Sequence, residues 1–264
     1  MTMRGRPHAV LLVLLVAACA APMKNPDRAR LAPTALRFVD GPGALARIED
    51  SPVPIELAAE GQSVLSWGYR IQFGAPTAWD VQVFTERGLP ELSRYPASLL
   101  DESGLDTVVL CSKLRVNGQR LNGLALPERG TIYLDVGYPC RDMKGALSHT
   151  VHHELFHVMD ETSLVPGLGD RAWSALNVSE KPYSVFRGAG PSRRPGFPSP
   201  YATTNPGEDK AEVYATMVSD PDEMSRLMAG DPVLTTKAAR LRDRLTSRSP
   251  MFGSVLSHHG ALRP

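Results

Sequence analysis

Two histidines four residues apart, set in a stretch whose apolar residues recur at helical spacing, constrain this chain more than any other feature. From Met143 to about Asp160, the residues Leu147, Val151, Leu155 and Val158 can share one face of a helix. Four residues advance a helix by slightly more than one turn, so His153 and His157 also share a face. A fold built on this helix must bury the apolar stripe and give both imidazoles something polar to meet. Imidazoles so placed can converge on one divalent ion at about 2 Å from each nitrogen, as zinc requires. Glu154 cannot point along the same radius, but it can reach a water held by that ion and take its proton. His153-Glu154-Leu155-Phe156-His157 therefore reads as an H-E-x-x-H pattern carrying a metal and a general base. The pattern is short enough to arise by chance in on the order of one per cent of chains this long. The competing reading is a solvated helix face bearing two histidines.

A third ligand must come from elsewhere. The pattern H-E-x-x-H-x-x-G-x-x-H would need glycine at position 160 and histidine at 163, and this chain has Asp160 and Ser163. A second arrangement places a glutamate on a helix some twenty residues on. Glu180 lies near that distance, but Pro182 opposes a regular helix there. Glu161, four residues beyond His157, is too far along the helix axis to close the same site and reads as solvated or as supporting a neighbouring loop. Glu208 and Glu212 remain, four apart in a segment whose Ala211, Ala215 and Val218 also share a face. One of the pair can bind an ion while the other holds a ligand imidazole through its second nitrogen. Taken alone, such a pair reads more simply as a solvated face. His149, one turn before His153, reads as a partly exposed polar position, with a supporting or substrate-contacting role as the alternative. His152 points elsewhere and reads as solvated.

The segment Tyr201-Ala202-Thr203-Thr204-Asn205-Pro206-Gly207-Glu208-Asp209-Lys210-Ala211-Glu212, taken with the H-E-x-x-H helix, resembles the catalytic domain of anthrax lethal factor. It is similar also to related bacterial zinc metallopeptidases carrying a tyrosine, then Thr-Asn, then Glu-x-x-Ala-Glu. The specific part runs from about His149 to Val218. The resemblance implies a zincin-like metallopeptidase domain with Zn2+ as cofactor. It implies Glu208 as third ligand, Tyr201 as a catalytic phenol near the metal, and Glu212 as a supporting residue. Lys210 stands where that family usually has an aromatic residue, and either faces outward or packs by its alkyl stem. On chemical grounds, a phenol beside zinc can stabilise the oxyanion that develops on a peptide carbonyl. Otherwise Tyr201 is a loop aromatic packed on the surface.

Pro22, Pro26, Pro33, Pro42, Pro52 and Pro54 break any long element early in the chain, so residues 19–60 read as a tether and loosely packed lead-in. Alternation from Val64 to Phe73 predicts one strand, and Trp79 to Phe84 another. Leu89 to Leu100 reads as a short helix. Thr107 to Val116 reads as a buried strand ended by an Asn117-Gly118 turn, and Thr131 to Val136 as a further strand. After Cys140 the patterns turn helical, with Asp220-Pro221 and Asp231-Pro232 marking two helix starts. Strands first and helices after predict an α+β domain over residues 61–264, a small mixed sheet followed by helices. The loop from Ser179 to Pro200, with Arg187, Arg193 and Arg194, reads either as flexible or as a groove wall favouring acidic peptides.

At the N-terminus, Arg4 and Arg6 precede an apolar run, Ala9 to Ala18, too short to span a bilayer as a helix. Val16-Ala17-Ala18-Cys19 resembles the lipobox of bacterial lipoproteins. That implies a signal peptide over residues 1–18, acylation of Cys19, and a mature protein held on a membrane. Ala20 points by the same analogy to the outer membrane, and an ordinary secretory signal is the alternative. The expected location is the bacterial cell envelope, facing the periplasm or exterior. In an oxidising compartment Cys111 and Cys140 form a candidate disulfide, against two buried thiols. A net charge of +1 over 264 residues gives no bulk pull toward nucleic acid.

These readings converge on a membrane-tethered, exported zinc metallopeptidase of gluzincin type acting on a peptide or protein. His153, His157 and Glu208 bind the metal, Glu154 is the base and Tyr201 assists. Two rivals use the same residues: a zinc-binding lipoprotein that cleaves nothing, and a zinc hydrolase acting on a cell-wall amide.

Overall fold

The computed structural model describes residues 51–66, 68–137, 145–162, 169–179, 181–184 and 193–257. Cys19, Cys140, Glu180 and Arg187 lie outside the described residues, and with them the expected lipidation, the disulfide pair and the alternative glutamate.

The strands are β1 (Ile55–Leu57), β2 (Ser63–Ser66), β3 (Tyr69–Gly74), β4 (Thr107–Val116), β5 (Gln119–Arg120), β6 (Gly123–Leu126) and β7 (Thr131–Asp135). The β-branched run of β4 is the spine of a mixed sheet. Its first half pairs in parallel with β1 and β7, placing Val108 opposite both Ile55 and Ile132. Its second half pairs antiparallel with β3 and β5. β6 adds antiparallel to β7, and β2 to β3. β1 lies inside the segment read as a lead-in, yet Ile55 is fully buried, so the sheet begins before residue 61.

At mid-strand β4 bends. Lys113 adopts a left-handed φ of 55°, and the register against β3 shifts between Gln72 and Gly74. The buried Asp135 carboxylate accepts the Leu114 and Gly137 N–H groups there, at 3.1 and 3.0 Å. The bend brings Phe73 of β3 to 5.3 Å from Tyr133 of β7, ring centre to ring centre. One face of the sheet thus gathers a small core of Ile71, Phe73, Leu114, Leu124 and Tyr133. The larger core lies between the other face and the helices.

Three helices intervene between β3 and β4: α1 (Ala78–Arg87), α2 (Leu89–Leu92) and α3 (Ala97–Ser103). The strand expected at Trp79 to Phe84 is therefore a helix. Its alternating pattern is overruled by a capping box, in which Thr77 Oγ1 accepts Asp80 N–H and the Asp80 carboxylate accepts Thr77 N–H. A cap of this kind contributes about 1 kcal/mol, and Val81, Val83 and Phe84 bury against the interior. The single strand expected from Val64 to Phe73 is a hairpin turning at Gly68, whose φ of 79° suits glycine. The helix expected from Leu89 to Leu100 splits at Pro96, whose extended backbone starts α3. The short strands β5 and β6 had no reading in the sequence.

The second half carries α4 (Ala146–Glu161), α5 (Asp170–Ser174), α6 (Pro206–Ser219), α7 (Pro221–Met228), α8 (Pro232–Arg248) and α9 (Met251–Ser257). Asp220 and Asp231 cap α7 and α8 by accepting Glu223 and Leu234 N–H groups, so both Asp-Pro signals start helices. α4 packs on β6, β7 and α6. The result is a mixed sheet with helices on one side, α1 to α3 being placed among the strands rather than after them. Among the described residues no helix is long and apolar enough to cross a membrane.

Candidate metal centre

α4 buries Val151, Leu155 and Val158 in the core and turns His153 and His157 toward α6. The start of α6 is set locally. Asn205 is its N-cap, Pro206 occupies the first turn, and Asn205 Oδ1 accepts the Glu208 N–H at 3.0 Å. This holds the Glu208 carboxylate in the first turn, where the helix dipole favours negative charge.

His153 Nε2 lies 3.0 Å from Glu208 Oε2, His157 Nε2 lies 3.1 Å from His153 Nε2, and His157 Nε2 lies 3.3 Å from Glu208 Oε2. These are three lone-pair atoms in one small triangle. A proton can serve two of them at a time, whereas a central cation serves all three. Two ligands about 2.0–2.1 Å from a tetrahedral zinc are themselves roughly 3.3 Å apart, so the donor set fits that ion. Histidine nitrogens and a carboxylate are also the ligand types zinc takes.

A second grouping shares a member with the first. His149, His153 and Glu212 also bring ligand atoms together. Here Glu212 Oε1 faces His149 Nε2 at 2.9 Å and His153 Nδ1 at 3.0 Å. Two N–H groups around one carboxylate oxygen account for this cluster without a metal. The His153 contact falls off the axis of a well-directed hydrogen bond, since Nδ1 has no hydrogen-bond partner by direction. It is an electrostatic contact that favours the Nδ1–H tautomer and leaves Nε2 free to face Glu208.

Burial opposes charge on both sides of this pairing, and the partners outweigh it. Burial alone depresses the His153 imidazole, but Glu208 and Glu212 hold its pKa well above the ordinary value. Burial raises Glu208, but His157 and His153 bring it down to about 2. The two carboxylates therefore favour a proton on His153 in the metal-free site. Zinc must expel it, because the ion needs the Nε2 lone pair. Calorimetry at pH 7 in buffers of differing ionisation enthalpy is expected to show about one proton released per zinc bound. Affinity should rise with pH until the raised His153 pKa is passed. Zinc binding with no proton release would contradict this protonation state.

Glu154 is buried against β6, and burial pushes its carboxyl pKa up, with His153 and His157 opposing. The Ala125 backbone N–H donates to it. Gly123 makes the room, since a Cβ there would stand 2.6 Å from Glu154 Oε1. Nothing in the sequence singled out Gly123. Tyr201 sits in a short 3-10 turn, Tyr201–Thr203, with its ring centre 5.8 Å from that of His153. Burial, then the carboxylates of Glu208, Glu154 and Glu212, raise its phenol well above the usual range, so it stays a donor.

Two expectations are corrected. His152 is fully buried, not solvated: its Nδ1 meets Tyr95 Oη at 2.7 Å and its Nε2 meets Glu91 Oε2 at 2.9 Å. The α1–α3 layer covers that side of α4, which spacing along α4 cannot reveal. Lys210 neither faces outward nor packs by its stem alone. It is buried and ion-paired with Asp160 and Asp170, tying α6 to the end of α4 and the start of α5. Arg193, in the loop read as flexible or as a groove wall, bonds Asp231 at 2.7 Å and the Phe197 carbonyl at 3.1 Å. Glu161 is exposed.

Residues 134–248, under half of the chain, match a family model described as "Putative zinc-binding metallo-peptidase". A crystal structure described as "a putative zinc-binding metallo-peptidase" from Bacteroides caccae is 16% identical, with a TM-score of 0.43. That comparison covers 66% of this chain and 73% of the other. No curated protein matches.

Proposed function

We propose that this chain hydrolyses peptide bonds with zinc, as a gluzincin-type metallopeptidase. The observation that carries the proposal is the triangle of His153 Nε2, His157 Nε2 and Glu208 Oε2, with all three edges at or below 3.3 Å and Glu154 alongside. The match of residues 134–248 to a zinc-binding metallo-peptidase model supports the same reading. His153, His157 and Glu208 would hold the ion. When bound, zinc supplies Lewis acidity, polarising a carbonyl oxygen and making a water acidic enough to lose its proton near neutrality. Glu154 takes the proton from the attacking water and returns it to the leaving amine, a task its raised pKa suits. Tyr201 keeps its proton and donates a hydrogen bond to the scissile carbonyl oxygen as that oxygen gains charge. The test is metal content by atomic emission together with digestion of a mixed peptide library. About one zinc per chain and cleavage abolished by a chelator are expected. A zinc-loaded, folded protein that leaves the whole library intact would sink the peptidase reading and favour a binding role.

The proposal extends to location. The order of basic residues, apolar run and Val16-Ala17-Ala18-Cys19 supports export and lipid anchoring through Cys19, on the envelope of a bacterium. Labelled palmitate should enter the wild-type chain in a bacterial host and not Cys19→Ala. Equal labelling of both would remove the anchor.

A further inference from the structure

Glu212 joins the proposed ligand set to two residues outside it. Its Oε1 faces His149 Nε2 at 2.9 Å and His153 Nδ1 at 3.0 Å, and its Oε2 accepts the Ser199 hydroxyl at 2.5 Å. Ser199 Oγ in turn accepts the Ala202 N–H at 3.2 Å, inside the turn that carries Tyr201. The terminal torsion of a glutamate is soft, so a carboxylate held at one oxygen can swing. The His153 contact is poorly directed and cannot aim Glu212 by itself. The aim must come from the two well-formed bonds, one at each oxygen. Glu212 is also buried, and a buried carboxylate keeps its charge only with donors in place.

We propose that His149 and Ser199 are positioning residues that clamp the two oxygens of Glu212, and through it set the His153 ring and the Tyr201 turn in one arrangement. The inference rests on the reading of His153 as a zinc ligand. His149 acts here as a hydrogen-bond donor, and its Nδ1 faces Ser219 Oγ at 3.5 Å. Ser199, two residues before Tyr201, ties the catalytic turn to the Glu212 carboxylate of α6. Loss of either donor lets Glu212 rotate and frees the His153 ring to leave the triangle.

Zinc affinity, measured by competition with a chromophoric chelator, tests this without relying on turnover. His149→Leu and Ser199→Ala are each expected to weaken zinc roughly tenfold, the lower end of what losing an outer partner costs a zinc site. His149→Gln places an amide N–H near the former Nε2, and Ser199→Thr keeps the hydroxyl, so both should bind within about twofold of wild type. In a Glu212→Ala background the Leu and Ala changes should add nothing, because their route to the metal is gone. The same losses persisting there would overturn the proposal. So would wild-type affinity in the single variants, or equal losses in the Gln and Leu variants, a comparison that stands even if Glu212→Ala does not fold. A wild type that takes zinc but cleaves no peptide refutes the peptidase reading alone. A wild type that takes no zinc refutes both.

Discussion

Glu154→Gln is expected to lower kcat/KM for peptide cleavage by about 10³-fold while leaving zinc bound, since general acid–base catalysis is worth roughly 10²–10⁴-fold. The substitution keeps the shape that Gly123 accommodates and an oxygen for the Ala125 N–H, and removes only the group that takes a proton. The ligand triangle contains no atom of Glu154, so metal content should not change. Stability should hold or rise, because a neutral amide replaces a carboxylate that burial disfavours. The pH profile gives an independent check. In the wild type, activity needs ionised Glu154, so it should climb as pH rises through the raised carboxyl pKa and be lost below it. That limb should vanish in the variant. Full, chelator-sensitive turnover in Glu154→Gln would remove Glu154 as the base.

Lys237→Met is expected to destabilise the fold by about 3–5 kcal/mol, the cost of leaving a buried charge without its partner. Lys237 and Asp209 are both fully buried, with Nζ 2.7 Å from Asp209 Oδ2. The same oxygen accepts Trp173 Nε1 at 2.8 Å and Tyr183 Oη at 2.9 Å. Lys237 also donates to Asn177 Oδ1 and the Gly196 carbonyl, and stands 4.1 Å over the Phe197 ring. One ion pair thus gathers α5, α6, α8 and the segments on either side of residues 185–192. Burial already pushes Asp209 up, with Lys237 as the chief restraint, so removing Lys237 should raise Asp209 further. A loss of that size is a large share of the ~5–15 kcal/mol that holds a typical domain. Because Asp209 adjoins Glu208, zinc affinity should fall as well. Urea unfolding of the metal-free proteins measures the first effect. The double variant Lys237→Met, Asp209→Leu should recover most of the stability, since no charge is left stranded. A single variant within 1 kcal/mol of wild type would show that the pair does not organise this region.

The helical rule worked where the determinants are close in the chain. His153 and His157 share a face because four residues make one turn, and α4 runs from Ala146 to Glu161 as the apolar spacing requires. The Asp-Pro starts of α7 and α8 are equally local. Thr107 to Val116 is a strand because its run of branched residues suits a sheet buried on both faces. At Trp79 to Phe84 the alternation is real, but Thr77 and Asp80 cap a helix at its start and the helix prevails. Short β6 has too few residues for periodicity to register, yet it makes the room that Glu154 occupies.

Local spacing alone determined that two imidazoles and one carboxylate sit at the surface of a single helix. It left open which later glutamate comes near them, and the resemblance to known metallopeptidases, rather than geometry, singled out Glu208. Only the tertiary structure decided that His152 is covered while His153 faces α6. The same holds for Lys210 and Lys237 being buried as ion pairs, and for His149 and Ser199 meeting Glu212. The physical reason is that helix geometry is set by bonds between residues four apart, whereas these burials and pairings join separate elements 13 to 63 residues apart. Their approach is dictated by how the sheet and helices pack as a whole.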